Sequence, residues 1–141
     1  RISWQSGGKT KEAEDGDILL ADKAFVAPAG YHMVLEEEDN YVKIRLNQEA
    51  LVNFVRPSVD VTMRSAAEIF GKDIVGVVLT GMGKDGLEGC RRIKEKGGTV
   101  IIQNKESSVV WGMPKAVHDA GLADRVLPLS NIAAAILKEI S

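Results

Sequence analysis

Alternating polarity in the first third of the chain gives way to unbroken apolar runs further on. Residues 31–37 and 41–46 alternate on either side of Asp39-Asn40, a pattern typical of a β-hairpin with one face in solvent. Residues 74–79 and 99–103 form short apolar runs without alternation, which favours strands of a parallel sheet that is covered on both faces. The pattern therefore predicts a parallel core with a hairpin attached on its N-terminal side.

Helices are predicted between and after these strands. Ser58 stands where an N-cap belongs and Gly71 is a natural stop, so the first helix is expected between them. Further helices are expected over about residues 86–96, over 113–120, and after Ser130, which we interpret as the cap of the last helix. The spacing assigns these apolar side chains to the core: Val59, Met63, Ala66, Ala67 and Phe70 in the first helix, and Ile132, Ile136 and Ile140 in the last.

The two ends of the chain carry weaker signals. Residues 1–16 are polar and contain glycine, which predicts a loose leading segment. Residues 17–20 and 24–27 are short apolar stretches that we interpret as strands around a turn, and residues 126–129 predict a last extended segment. The order of strand, helix, strand, helix and short strand predicts an α/β fold.

Chain length, charge and cysteine content limit the number of domains and the classes of function that this protein can have. The chain has 141 residues, which fits one domain with a single core. With 18 Lys and Arg against 20 Asp and Glu, no basic excess is available to neutralise nucleic-acid phosphates. The lone Cys90 excludes an internal disulfide and fits a reducing cytosol, so we expect a cytoplasmic protein. No apolar run approaches the roughly 20 residues that span a bilayer, so we expect no transmembrane segment. Two histidines and one cysteine cannot form a closed zinc site.

Asp85 is the strongest candidate for chemistry. It lies in a glycine-rich turn directly after an apolar strand, where ligands and catalytic groups gather in α/β sheets. An Asp before a helix is also a common N-cap, and that interpretation stays open from the spacing alone. Gly81, Gly83 and Gly86 match a dinucleotide-binding pattern, but the next strand ends in Gln103-Asn104 instead of an acid, so the match is partial.

Several sequence blocks occur in an order that resembles one known family, the catalytic domain of the chemotaxis protein-glutamate methylesterase of the CheB type. The resemblance runs from about Lys11 onward, through Ala27-Pro-Ala-Gly-Tyr-His32, Arg56-Pro-Ser-Val-Asp60, Val78-Leu-Thr-Gly-Met-Gly-Lys-Asp-Gly86, Gly112-Met-Pro114 and Val126-Leu-Pro-Leu129. Any one block alone would be a weak signal, whereas several in order at compatible spacing are specific. The resemblance implies a doubly wound, mainly parallel sheet with helices on both faces.

The resemblance also implies an activity. The family hydrolyses glutamyl methyl esters, and deamidates glutamines, on the cytoplasmic helices of chemoreceptors through a Ser-His-Asp triad. Carried onto this chain, Asp85 is the triad acid and Met82 supplies a backbone N–H to the oxyanion hole. No metal or organic cofactor is implied, because the water used in deacylation needs only the histidine. A receiver domain usually precedes the catalytic domain in such proteins, so a longer parent protein is an expected partner.

Two expected motifs are missing from this chain. The family's nucleophile lies in a Gly-Ala-Ser-Thr-Gly-Gly segment and its base in a His-Met-Pro segment, and neither occurs here; Ser6-Gly7-Gly8 only echoes the first. We expect residues 1–141 to be the C-terminal part of a catalytic domain without a receiver domain, inactive alone. His32 is expected to be structural and His118 exposed, and Ser107 and Ser108 lack the glycine flanks of a nucleophile elbow. The alternatives are an inactive relative that binds receptors or partners, and a nucleotide- or phosphate-binding α/β module.

Overall fold

Seven strands and four helices appear in the part of the chain that the structure describes. A computed structural model describes residues 9–141, so the echo at Ser6-Gly7-Gly8 lies outside it. In chain order the strands are β1 (Thr10–Glu12), β2 (Ala24–Val26), β3 (His32–Glu38), β4 (Tyr41–Asn47), β5 (Val75–Val78), β6 (Thr99–Gln103) and β7 (Arg125–Leu127). The helices are α1 (Val59–Phe70), α2 (Leu87–Glu95), α3 (Gly112–Asp119) and α4 (Leu129–Ile140), and a 3₁₀ turn (Gly71–Asp73) follows α1.

The core is a parallel sheet of order β5-β6-β7 with helices on both faces. Successive side chains of a strand point to opposite faces, and here both faces are apolar. Val78, Val100 and Ile102 pack on one face against α1, α2 and α3, whereas Ile101 packs on the other face against α4. The predicted α/β fold with a parallel core is therefore confirmed.

The predicted hairpin is also confirmed. β3 and β4 pair in antiparallel register from His32 with Asn47 to Glu38 with Tyr41, and Asp39-Asn40 forms the turn. The hairpin is joined to the core through α1, because the Ser65 hydroxyl accepts the Leu35 N–H at 2.9 Å. Thr62 donates to the Met33 carbonyl from the same helix. The hairpin thus fixes α1 from the side away from the sheet.

The N-terminal predictions were partly wrong. Residues 17–20 form only one bridge, Ile18 with Lys43, instead of a strand. The Asp17 carboxylate accepts the Glu14 N–H and the Lys11 ammonium group, which turns the chain locally before it reaches the hairpin. The segment predicted to be loose contains β1, which pairs in parallel with β2. Its sequence, Thr-Lys-Glu, carries no apolar signal from which a strand could be predicted.

The cap and part of the core face of the last helix were wrong too. α4 begins at Leu129 with Pro128 in the N-cap position, and the Ser130 hydroxyl donates to the Asn131 side chain instead of capping. Ile132 is buried against the sheet as predicted, but Ile140 is 64% exposed. Helix α4 packs on the sheet through Ile132, Ala135 and Ile136, and Ile140 lies one turn beyond that contact.

Candidate functional site

Asp85 lies in the loop after β5, at the carboxyl end of the parallel sheet, and lines an open cleft of about 780 Å³. Its side chain is largely buried, with the residue 9% exposed. Asn53, Phe54, Met82 and Met113 line the same cleft. The loop 79–86 therefore brings the candidate acid to the edge of a space that a substrate could enter. Its position at the carboxyl end of a buried strand is the one that the sequence predicted.

Asp85 does not cap its own helix. The N-cap of α2 is Gly86, which has a φ of +99° and makes no side-chain capping bond. Instead the Asp85 carboxylate binds the N-terminus of α1: Oδ2 accepts the Val59 N–H at 2.8 Å, and Oδ1 accepts the Asp60 N–H at 3.1 Å. Ser58 holds the predicted N-cap position of α1, but its hydroxyl donates to Asp85 Oδ1 at 2.7 Å. The acid thus takes over the capping role of Ser58 from a distant loop.

Asp60 likewise caps the N-terminus of α2. Its Oδ1 accepts the N–H groups of Gly86 at 2.9 Å and of Gly89 at 2.7 Å. The N-terminus of α1 therefore meets a carboxylate from the loop before α2, and the N-terminus of α2 meets a carboxylate from α1. A negative charge suits the positive end of a helix dipole. Gly89 permits this close approach, because a Cβ there would lie 2.6 Å from the Met63 side chain. Asp60 is buried and Val59 is exposed, so the helical spacing assigned the wrong one of these two residues to the interior.

Asn53 joins the two carboxylates. Its Nδ2 donates to Asp85 Oδ1 at 2.9 Å and to Asp60 Oδ2 at 2.8 Å. Sequence reasoning missed both Asn53 and the role of Asp60. Asp60 stands at the end of the Arg56-Pro-Ser-Val-Asp60 block, and an acid in the first turn of a helix was the available signal. Asn53 lies in a loop whose course no local pattern revealed.

The contacts of Asp85 favour its charged form. Burial raises the pKa of this carboxyl, but the hydrogen bonds from the Val59 N–H, the Ser58 hydroxyl, the Asp60 N–H and the Asn53 amide outweigh burial and leave the pKa below its usual value. Asp85 is therefore an anion at neutral pH. Oδ1 already accepts three donors, whereas Oδ2 accepts one among the described residues. Oδ2 retains capacity for one further donor.

The turn that carries Met82 is fixed at both ends. The Gly81 N–H donates to the Val110 carbonyl at 2.8 Å, and the Met113 N–H donates to the Gly81 carbonyl at 2.9 Å. A Cβ on Gly112 would lie 3.0 Å from the Gly81 oxygen and 3.1 Å from the Gly83 nitrogen, so the turn and α3 touch backbone to backbone. Within residues 9–141, the N–H groups of Met82, Gly83 and Lys84 have no acceptor. They are available for a ligand oxygen.

His32 approaches this site without serving it as a base. It is buried, its Nδ1 accepts the Ser58 N–H at 3.2 Å, and its Nε2 lies 2.9 Å from the Ala50 carbonyl. These bonds require the neutral tautomer with the hydrogen on Nε2. The Ser58 hydroxyl is fully buried and donates to Asp85 rather than to the histidine. His32, Ser58 and Asp85 are therefore neighbours without the order of a catalytic triad.

The other candidate groups lie away from Asp85. His118 is exposed on α3 beside Asp119, as the sequence predicted. The Ser107 hydroxyl lies in a hydrogen-bonded cluster, where it donates to Asn104 Oδ1 and accepts the Leu129 N–H. Across residues 9–141 no serine hydroxyl donates to a histidine nitrogen. No group of three or more metal-ligating side chains occurs in that range either.

Exposed apolar side chains surround the cleft. Phe54 is 95% exposed and Met82 is 82% exposed, and Leu51 lies beside them. Phe54 also has a φ of +65°, a backbone region that a bulky residue rarely adopts. Such a rim around a buried anion is typical of a site that receives a partner surface.

None of the helices described is long and apolar enough to cross a membrane.

Comparison with known proteins identifies the family. The CheB methylesterase family model matches residues 1–136. A protein-glutamate methylesterase/protein-glutamine glutaminase of Trichodesmium erythraeum is 46% identical over 140 residues, and one of Moorella thermoacetica is 50% identical over 138 residues. They align with 99% and 97% of this chain, but the chain spans only 40% and 32% of their lengths. The crystal structure of the Thermotoga maritima CheB methylesterase catalytic domain superposes with a TM-score of 0.89 at 43% identity, covering 91% of this chain and 68% of that one.

Proposed function

Because this chain belongs to the CheB methylesterase family, we propose that it forms the C-terminal part of a methylesterase catalytic domain and supplies the acid of a Ser-His-Asp triad. The observation that carries the proposal is Asp85 itself. It is a buried anion at the edge of an open cleft, and its Oδ2 accepts only one donor from the described residues. A histidine Nδ1–H is the donor that a triad acid receives.

The nucleophile and the base are proposed to come from a part of the parent protein outside this chain. The described residues contain no serine hydroxyl bonded to a histidine, and the curated relatives are more than twice as long as the chain. In the proposed reaction the serine oxygen attacks the ester carbonyl while the histidine takes its proton. The histidine then protonates the departing methoxide, and methanol leaves. Water, deprotonated by the same histidine, releases the glutamate and restores the serine.

Asp85 and the Met82 turn would act at two points of this reaction. The Asp85 carboxylate would hold the histidine in the productive tautomer and stabilise its cation. The Met82 N–H would donate to the oxyanion that forms when the carbonyl is attacked, because it has no acceptor among residues 9–141. The turn is already fixed by Val110 and Met113, so this donor needs no reorganisation during the reaction.

The substrate proposed is a methylated glutamyl side chain on a cytoplasmic chemoreceptor helix, with receptor glutamines as deamidation substrates and the cytoplasm as the compartment. The apolar rim of Leu51, Phe54 and Met82 suits a receptor helix whose surface around the scissile ester must lose its hydration on binding. No cofactor is required, because every step uses the triad, backbone N–H groups and water. A receiver domain in the parent protein is the proposed regulatory partner.

The geometry disfavours the alternative of a phosphate-binding loop. A dinucleotide-binding turn places its phosphates on the N-terminus of the helix that follows. Here the Asp60 carboxylate already accepts the Gly86 and Gly89 N–H groups at that position. A phosphate there would meet a buried anion instead of free donors. Gly81 instead allows the close approach of α3, because a Cβ there would lie 2.5 Å from Met113 Sδ, and Gly83 and Gly86 have positive φ of +90° and +99°.

A fluorophosphonate probe tests the proposed function. The parent protein should be labelled on one serine outside this chain, whereas the 141-residue chain alone should remain unlabelled. Mass spectrometry of the labelled parent locates the serine, and methanol release from methylated receptor measures the reaction. A label on any serine within residues 1–141 would show that the assignment of roles is wrong. A parent protein that is neither labelled nor active would support the inactive, partner-binding relative.

A further inference from the structure

We propose that Asn53 is a positioning residue for the acid: its amide holds the Asp85 carboxylate in the orientation that leaves Oδ2 open to the cleft. The inference rests on the proposed role of Asp85 as triad acid. Asn53 uses both hydrogens of one nitrogen, one for Asp85 Oδ1 and one for Asp60 Oδ2. Among the described residues, the Asn53 side chain donates a hydrogen bond to both carboxylates, whereas the Ser58 hydroxyl donates to Asp85 alone.

Two buried carboxylates that share one neighbour require such a donor. Without it, Asp60 Oδ2 and Asp85 Oδ1 would each lose a donor, and the two like charges would repel each other with no N–H group between them. A carboxylate can relieve this repulsion by turning about its Cβ–Cγ bond or by binding a proton. Either change would move the acceptor that a histidine must find. The Asn53 amide separates the two anions and satisfies both.

The loop holds Asn53 in place by its backbone. Val52 and Val55 exchange two backbone hydrogen bonds, at 3.0 and 3.1 Å, across a two-residue turn. Asn53 and Phe54 both have positive φ, +54° and +65°, as a type I′ turn requires. Asn is favoured at the first of these positions because its side chain tolerates left-handed backbone. The turn therefore aims the amide inward while Phe54 projects into solvent.

A purely structural role would make a different prediction. Gly and Asp both adopt positive φ readily, so Asn53→Gly and Asn53→Asp preserve the turn. If Asn53 serves only the turn, both variants should turn over substrate at the normal rate. If it positions Asp85, Asn53→Gly removes the amide and Asn53→Asp replaces a double donor by a third carboxylate of the same shape. Asn53→Asp should then be the more damaging variant.

The experiment measures methanol release from methylated receptor by the intact parent enzyme, with kcat and KM determined separately across pH. We expect Asn53→Gly to lower kcat by up to about 100-fold, the loss that a misplacement of about 1 Å can cause, with KM within about twofold of wild type. The acid limb of the kcat/KM profile reports the histidine base. It should move to higher pH, because a carboxylate that has lost the Asn53 donor stabilises the histidine cation more strongly. Asp39→Gly, at the positive-φ turn of the hairpin, is the matched control and should leave both constants unchanged.

Asp85→Asn is measured alongside to separate the two proposals. An active Asp85→Asn enzyme would overturn the role of the acid and this inference with it. An inactive Asp85→Asn enzyme with fully active Asn53→Gly and Asn53→Asp variants would overturn only the positioning role of Asn53. A fall in kcat for both Asn53 variants, with melting temperatures that leave them folded at the assay temperature, supports it.

Discussion

Replacing Asp85 by Asn should separate two effects that the structure places on one side chain. Asp85 is both the proposed triad acid and the cap of α1, so the substitution perturbs chemistry and stability together. An Asn side chain offers one carbonyl oxygen where the carboxylate offers two. If that oxygen faces the three donors now on Oδ1, the amide NH₂ faces the Val59 N–H, whose present acceptor Oδ2 lies 2.8 Å away. Two donors then oppose each other.

The size of the stability loss follows from this count. One buried donor left without an acceptor costs about 1–3 kcal/mol, and removing a negative charge from a helix N-terminus costs about 0.3–1 kcal/mol. The free energy of unfolding should therefore fall by roughly 1.5–4 kcal/mol. A domain of ordinary stability, about 5–15 kcal/mol, retains at least about 1 kcal/mol after such a loss and stays mostly folded. Unfolding alone therefore cannot explain a large fall in turnover.

The loss of turnover should be much larger. In a serine protease the same change lowers kcat by about 10⁴ because the histidine is held in the wrong tautomer, and we expect a loss of order 10²–10⁴ here. Methanol release from methylated receptor by the parent enzyme measures it, with urea unfolding in parallel. Asp124→Asn is the matched control: this carboxylate accepts the Val100 N–H and the Lys94 ammonium group, each at 2.8 Å, at the opposite end of the sheet.

The control should lose stability and keep its turnover. A rate for Asp85→Asn within about threefold of wild type, below the smallest loss expected for a triad acid, would refute the reasoning, and Asp85 would then be a helix cap and nothing more. A large loss of rate in both variants would refute it differently, because turnover would then follow stability instead of the identity of the acid.

Three further predictions concern the Cys90 thiol, the turn that carries Met82, and the pH dependence of stability. Burial raises the pKa of Cys90 to about 12, so the native thiol should not react with iodoacetamide at pH 8 and should react once the protein is unfolded. Gly112→Ala places a Cβ about 3 Å from the backbone of the Met82 turn, and should lower kcat of the parent enzyme with little change in melting temperature. The lowered pKa of Asp85 stabilises the fold above the unfolded value of about 3.9, and this contribution disappears as the pH falls through the folded pKa. The Asp85→Asn variant should therefore lose less stability than wild type between pH 5 and the acid limit, as measured by thermal melts.

The sequence predicted those features that local patterns encode. The hairpin and the strands β5 and β6 were recognisable because their polarity alternates or stays apolar over consecutive residues. β1 was missed because three polar residues give no such signal, and its pairing with β2 depends on the path of the intervening chain. The prediction of Ser130 as the cap was wrong because α4 begins at Leu129, and Pro128 occupies the N-cap position two residues before Ser130.

The site divides in the same way. Asp85 was predicted from its loop, and its position beside a cleft at the sheet edge agrees with that prediction, whereas its catalytic role stays a prediction. Asp60 and Asn53 were missed because capping between two different helices depends on how α1 packs against α2. Cap prediction from sequence considers only the helix that directly follows the acidic residue, so it cannot find a cap on a different helix. Here the acid and the N–H groups it binds are 25 residues or more apart in the chain.

The exchange of carboxylates between α1 and α2 links the order of the loop to the order of both helices. Val59 and Asp60 lose their acceptor if the loop that carries Asp85 opens, and Gly86 and Gly89 lose theirs if the start of α1 frays. Opening either end alone leaves buried donors unpaired at the other, so the two helix ends behave as one cooperative unit. The conformational entropy of the Asp85 side chain is consequently lost during folding, before any ligand arrives, so a donor in the proposed site would meet a carboxylate that is already oriented.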